Sequence, residues 1–192
     1  MKKKNKRSKL KKKYRTSTLS STDRHILEEI IRVDHAGEYG ATCIYDGQLA
    51  IFGKSSKIGK IIKHMAEQEQ EHIDTFEKLI LSNRVRPTAL LPLWKVSGFM
   101  LGVSTALMGK KAAMACTVAV ESVIGNHYGQ QIQELGDDQL KLKKTIKKFQ
   151  KDELEHHDIG LQHDAENTLG YNILTKIITT GCKAAIILSK KI

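Results

Sequence analysis

The chain has 192 residues, 40% of them apolar but only 5% aromatic, with two prolines and three cysteines. That is enough chain for one domain with a real core. The scarcity of breakers favours an all-α fold, and three cysteines far apart in apolar contexts exclude a disulfide framework and a cysteine-based zinc site. The net charge of +11 is uneven: residues 1–22 hold ten Lys or Arg and no acid, and the rest carries 22 basic against 21 acidic residues.

Residues 1–21 therefore read as a disordered basic tail and 22–192 as the folded domain. The tail lacks the apolar run of a secretory signal and is Lys-rich where a mitochondrial presequence is Arg-rich. It is either a solvated tail or an attraction for anionic lipid, worth about 1 kcal/mol per cation near the surface. Without aromatic interleaving or a basic helix, nucleic acid is not an expected partner.

Thr22 or Asp23 can cap a first helix running to about Phe52 and stopping at Gly53. Its apolar stripe reads Leu27, Ile31, Asp34, Glu38, Ala41, Tyr45, Gln48, Phe52. Gly37 and Gly40 beside Glu38 cost the helix roughly 0.5–1 kcal/mol each against Ala, so they imply a close backbone approach or room beside the carboxylate. Ser55 or Ser56 caps the second helix, whose stripe is Ile58, Ile62, Met65, Glu69, His72, Phe76, Leu79, ending near Asn83.

Residues 84–92 read as a loop, and about 87–112 as an insert of different character. No acid occurs between Glu77 and Glu121, and 96–109 carry no charge at all. Fourteen residues are too short to span a bilayer as a helix. Trp94, Lys95, Lys110 and Lys111 flank the run as at a membrane–water boundary. It is either interfacial or a buried core helix. The next helix reaches Leu135 with the stripe Met114, Val118, Glu121, Gly125, Tyr128, Ile132, Leu135. Asp137 or Asp138 caps the fifth, which carries Leu142, Ile146, Phe149, Glu153, His156, Gly160 and continues to about Asn167. After Gly170 a last apolar helix, 172–189, closes the bundle or lies on a membrane.

Two of these helices share a motif. Glu69-Gln70-Glu71-His72-Ile73-Asp74 and Glu153-Leu154-Glu155-His156-His157-Asp158 both read E-x-E-H-x-D, 84 residues apart. Their E-x-x-H core puts a carboxylate and an imidazole one turn apart on one face, and that face is the stripe reserved for apolar side chains. Burying an ionised carboxylate costs several kcal/mol unless something compensates, and a metal ion does. Glu38 and Glu121 complete the pattern, 31 and 32 residues before the motif glutamates. Four carboxylates and two imidazoles from four helices form the ligand set of di-iron or di-manganese carboxylate bundles. The charges balance two divalent ions, and oxygen-rich ligation suits iron or manganese rather than zinc. Glu38, Glu69, His72, Glu121, Glu153 and His156 are the expected ligands, with Glu69 and Glu153 bridging. Asp34 and Asp152 are candidates to orient a ligand histidine. Tyr45 and Tyr128, each seven residues beyond a ligand glutamate, either pack with satisfied hydroxyls or line a substrate channel and hydrogen-bond near the metals. Glu71 and Glu155 point away to solvent, and His25, His35, His64, His157 and His163 read as ordinary histidines.

The runs Ile31-Arg32-Val33-Asp34-His35-Ala36-Gly37-Glu38-Tyr39-Gly40-Ala41 and Asp152-Glu153-Leu154-Glu155-His156-His157-Asp158-Ile159-Gly160-Leu161, with Val120-Glu121 and His127-Tyr128, resemble the demethoxyubiquinone hydroxylase family. The resemblance covers roughly 25–192 and fills every metal-ligand position of the family pattern. It implies a ferritin-like four-helix bundle with two additional membrane-associated helices, holding two iron ions. The implied enzyme is a dioxygen-dependent monooxygenase that hydroxylates the ring of a polyprenylated demethoxyubiquinol, the penultimate step of ubiquinone biosynthesis. It would sit peripherally on the cytoplasmic face of a bacterial membrane, or on the matrix face of a mitochondrial inner membrane, where its lipid-dissolved substrate resides. The family draws on reduced nicotinamide, yet no Gly-rich dinucleotide fingerprint is present. A homodimer or a lipid-binding helper protein would suit lipid-facing helices. The rival reading is a ferritin-like ferroxidase or peroxide-scavenging bundle using the same ligands.

Overall fold

The computed structural model describes residues 21–192, all of whose regular elements are helical. The basic tail, read as disordered, lies outside the described residues apart from Ser21. Six α-helices follow one another: α1 (Ser21–Phe52), α2 (Lys57–Asn83), α3 (Leu91–Leu107), α4 (Lys110–Glu134), α5 (Leu140–Gln162) and α6 (Tyr171–Lys191). Short 3-10 turns, Asp137–Gln139 and Ala165–Asn167, precede and follow α5.

The predicted stripes are the buried faces. Leu27, Ile31, Asp34, Glu38, Ala41, Tyr45 and Gln48 of α1 are all buried, as are Ile62, Met65, Glu69, His72 and Phe76 of α2. On α4 and α5 the same holds from Met114 to Tyr128 and from Leu142 to Gly160. α1 packs closely on α2, and α4 on α5; the two pairs meet more loosely across the centre. The result is a ferritin-like four-helix bundle with its polar residues at mid-height between two apolar clusters. One cluster gathers around Ile31, Phe76, Ile146 and Phe149, the other around Ile62, Met65, Met114 and Val118.

One helix start agrees with the sequence reading, and several other ends differ. Ser56 caps α2, its hydroxyl accepting from the Gly59 N–H at 3.0 Å. Thr22 and Asp23 lie inside the first turn of α1 rather than capping it. Pro92 belongs not to the loop but to the opening turn of α3, where its missing N–H costs nothing. Neither Asp137 nor Asp138 caps α5; the 3-10 turn intervenes and the cap position falls to Gln139. α5 ends at Gln162, its last carbonyls taken up by the His163 N–H.

The charge-free run is not a buried core helix. Most of it is α3, laid on α1 by its small residues Gly98, Gly102, Thr105 and Ala106, while Val96, Met100 and Leu107 are exposed. The crossing is tight: a Cβ on Gly102 would lie 2.0 Å from the Ile44 carbonyl oxygen, and one on Gly47 2.2 Å from that of Phe99. Because backbone cannot yield as a side chain does, Gly102→Ala should destabilise the protein by about 3 kcal/mol. Denaturant unfolding measures this, and an unchanged midpoint would refute the crossing. α6 lies across α4 and α1. It is tied down at its end by Trp94 Nε1, which donates to Ser189 Oγ at 3.0 Å, and by Lys190, paired to Glu29 at 3.0 Å. α6 has the length and composition to cross a membrane, and only 11% of its most apolar window is buried.

Candidate metal centre

At mid-height α1, α2, α4 and α5 each turn a carboxylate inward, and α2 and α5 add an imidazole. Glu38, Glu69, His72, Glu121, Glu153 and His156 are each at most 2% exposed. They form two overlapping groups whose ligand atoms lie within 4.8 Å of one another: Glu38, Glu69, His72 and Glu153, and Glu69, Glu121, Glu153 and His156. Glu69 and Glu153 are common to both. His72 Nδ1 stands 3.3 Å from Glu38 Oε2, 3.6 Å from Glu69 Oε2 and 3.1 Å from Glu153 Oε1. His156 Nδ1 stands 3.0 Å from Glu69 Oε1 and 3.4 Å from Glu153 Oε2.

The electrostatics are those of a site built for cations. Burial, then the neighbouring charges of Glu153 and Glu69, push the Glu38 and Glu121 carboxyls well above the usual carboxylate range. Burial opposes charge on the imidazoles too, but the carboxylates packed against them win, lifting His156 to about 10 and His72 further. Burial likewise works against ionised Glu69, yet the His156 and His72 imidazoles, 3.0 and 3.6 Å away, hold its carboxyl below the ordinary value. Both oxygens of Glu69 and of Glu153, Glu121 Oε2 and His156 Nδ1 are buried without a hydrogen bond. Orphans of that kind cost about 1–3 kcal/mol each or more when charged. Six of them facing one centre fit divalent cations, with the hard oxygen donors and one imidazole per ion that suit iron or manganese.

Around the six, each half of the chain supports the other. Tyr45 of α1 donates to Glu121 Oε1 at 2.6 Å, and Tyr128 of α4 donates to Glu38 Oε1. The outer nitrogen of His72 meets Asp152 Oδ2 at 3.2 Å, and that of His156 meets Gln68 Oε1 at 3.1 Å. The Phe149 ring lies 3.9 Å from that of His72.

Asp34 is placed differently from the sequence reading. It reaches no ligand histidine; its Oδ1 accepts from Gln131 Nε2 at 2.6 Å, and that amide also meets His127 Nε2 at 2.9 Å. Burial raises the Asp34 carboxyl and lowers His127 to about 4, so both favour their neutral forms. Gln68 and Gln131 escaped the sequence reading. Gln68 occupies in the first motif the place of Asp152 in the second, which was the signal available. Gly37 and Gly40 provide room on their own Cα side, since a Cβ on either would meet nothing within 4 Å, while the Gly40 carbonyl oxygen lies under the α3 crossing, 2.8 Å from where a Cβ on Gly98 would stand. Both line an apolar cavity of about 380 Å³ between α1, α3, α4 and α6, walled also by Ala41, Val120, Gly181 and Ile178. Gly37 and Val120 are the chain neighbours of Glu38 and Glu121, so the cavity runs beside the carboxylate layer.

Comparison with known proteins agrees over nearly the whole described chain. The family described as "Ubiquinone biosynthesis protein COQ7" matches residues 25–189. The chain is 51% identical over 179 residues to the "NADPH-dependent 3-demethoxyubiquinone 3-hydroxylase, mitochondrial" of Bos taurus, covering 91% of this chain and 82% of that one. It is 48% identical over 167 residues to the "3-demethoxyubiquinol 3-hydroxylase" of Rhodospirillum rubrum, covering 87% and 79%. With the "5-demethoxyubiquinone hydroxylase, mitochondrial" of Saccharomyces cerevisiae it shares 41% over 184 residues, covering 88% and 79%.

Proposed function

Since the chain belongs to the ubiquinone biosynthesis protein COQ7 family, we propose that it is a monooxygenase that hydroxylates the ring of a polyprenylated demethoxyubiquinol in ubiquinone biosynthesis. The observation that carries this reading is the juxtaposition of a buried carboxylate–histidine layer with an apolar cavity. Glu38, Glu69, His72 and Glu153 would hold one iron ion, and Glu69, Glu121, Glu153 and His156 a second. Bound there, the metals supply the activation of dioxygen that hydroxylation needs. The chain supplies the positioning and the dry setting. Glu69 and Glu153 sit between the two positions, Tyr45 and Tyr128 fix Glu121 and Glu38, and the apolar clusters above and below exclude water. The cavity gives an apolar quinol a dry approach between α1 and α4.

The substrate's prenyl tail keeps it in lipid, and the surface suits a peripheral membrane enzyme. Leu93, Val96 and Met100 of α3 and Ile173, Ile177 and Ile187 of α6 expose half or more of their surface, in two of the four helices that wall the cavity. The setting is the matrix face of a mitochondrial inner membrane or the cytoplasmic face of a bacterial one, and relatives of both origins occur. Reduced nicotinamide is the electron donor, in line with the NADPH dependence in the name of the bovine relative. A second copy or a lipid-binding helper would cover the same apolar face. An iron-storing or peroxide-scavenging bundle would share the carboxylates but has no use for the cavity.

The test is a single-turnover reaction. Iron-loaded, reduced protein mixed with ¹⁸O₂ and a demethoxyquinol analogue should yield hydroxylated quinol carrying one labelled oxygen. Iron oxidation that leaves the quinol untouched would overturn the hydroxylase reading in favour of iron handling.

A further inference from the structure

The centre repeats itself across the two halves of the chain. Glu38 corresponds to Glu121, Glu69 to Glu153, His72 to His156 and Tyr45 to Tyr128, each pair 83 or 84 residues apart. The supporting contacts repeat too, always crossing from one half to the other. At one position the repeat fails in chemistry while holding in geometry. The residue before each motif glutamate reaches the outer nitrogen of the opposite half's histidine, and it is Gln68 in the first half but Asp152 in the second. The two separations, 3.1 and 3.2 Å, are nearly equal, so the difference lies in the groups and not in their placement.

Both histidines turn Nδ1 to the carboxylate layer, which leaves Nε2–H as the outward donor. A carboxylate accepting that proton makes the imidazole a stronger electron donor at Nδ1 and adds negative charge behind it. A neutral carboxamide orients the ring without doing either. Resting on the reading of this centre as a two-metal site, we propose that the two positions are inequivalent. The position of Glu38, Glu69, His72 and Glu153 binds its divalent ion more tightly and fills first, and Asp152 is the positioning residue responsible. Gln68 keeps the His156 position weaker.

Manganese(II) is the probe, because free Mn(II) is counted directly by electron paramagnetic resonance and no turnover is needed. Replacing one histidine leaves the other position to be measured alone. His156→Ala, which retains the Asp152-backed position, should bind one Mn(II) about 10–100-fold more tightly than His72→Ala. Adding Asp152→Asn should remove that advantage in the His156→Ala background and change the affinity less than threefold in the His72→Ala background. Asp152→Glu should restore most of it, and Gln68→Glu should tighten the position left in His72→Ala. Circular dichroism confirms that each variant is folded. Equal affinities of the two histidine variants, or an Asp152→Asn effect of the same size in both backgrounds, would overturn the proposal while leaving the two-metal reading intact. An unmodified chain that binds no Mn(II) would overturn both.

Discussion

Removing metal from the purified protein with a chelator should lower its thermal midpoint by about 10 °C or more, and restoring Fe(II) or Mn(II) anaerobically should return it. An ion present at 1,000 times its dissociation constant stabilises the native state by about 4 kcal/mol, and each kcal/mol moves the midpoint of a chain this size by about 2–4 °C. The expected pH dependence has a definite sign. Without metal, the folded protein holds protons on Glu38 and Glu121, raised by burial and by each other's neighbours, that the unfolded chain has already lost above pH about 4.5. It also holds protons on His72 and His156, raised by the carboxylates, beyond the unfolded value near 6.5. The two carboxyls make the native state the better proton binder above pH about 4.5, and His156 adds to this between its unfolded value near 6.5 and its folded value near 10. The stability of the metal-free protein should therefore fall steadily as pH rises through neutrality. The metal-loaded protein, whose ligands are deprotonated, should show a flatter profile, and loading should release protons. Calorimetric titration in buffers of different ionisation enthalpy counts them. A midpoint indifferent to chelation, or metal uptake with no proton release, would refute the site.

The second large effect concerns Gly181, and it separates stability from activity. Gly181 sits inside α6, its missing Cβ faces nothing within 4 Å, and it lines the apolar cavity. A helix-interior glycine costs about 1 kcal/mol against alanine, and here no close packing accounts for it. Gly181→Ala should therefore stabilise the protein by about 0.5–1 kcal/mol. Gly181→Leu should remain folded and metal-loaded, yet project its side chain into the space proposed for the quinol. Its kcat/KM for a long-tailed quinol should fall by about tenfold or more, while a ring analogue without the tail loses less. Gly40→Leu, on the facing wall, should act in the same direction. Equal losses for both substrates would place the tail elsewhere, and no loss for either would empty the cavity of its role.

What could be read before folding was the periodic part. Glu38, Glu69, His72, Glu121, Glu153 and His156 stood out because each occupies a position that the 3.6-residue rhythm assigns to apolar side chains, and the structure buries all six together. Asp34 stood out by the same rule, and the rule could not say which neighbour it meets. Its partner, Gln131, lies 97 residues away on α4. Gln68 was overlooked because a glutamine beside a motif carries no charge to explain; only the opposing His156 reveals its use. The helix ends at Pro92 and Gln139 depended on turn geometry, which composition specifies weakly. The role of Gly37 and Gly40 turned on how α3 would lie on α1: the tight crossing runs through Gly47, Gly98 and Gly102, with Gly98 against the Gly40 carbonyl, and leaves the Cβ positions of Gly37 and Gly40 open.

The crossing of supports also sets an order of assembly during synthesis. Both four-residue groups include Glu153, which lies on α5. A nascent chain that has completed α1 and α2 exposes Glu38, Glu69 and His72, but their buttresses Tyr128 and Asp152 do not yet exist. No translation intermediate ending before α5 can form either group, so the site is complete only once the last bundle helix has docked. On the proposed two-metal reading, metallation would then wait for the docking of α5, whose Leu142, Ile146 and Phe149 close one apolar cluster in the same step.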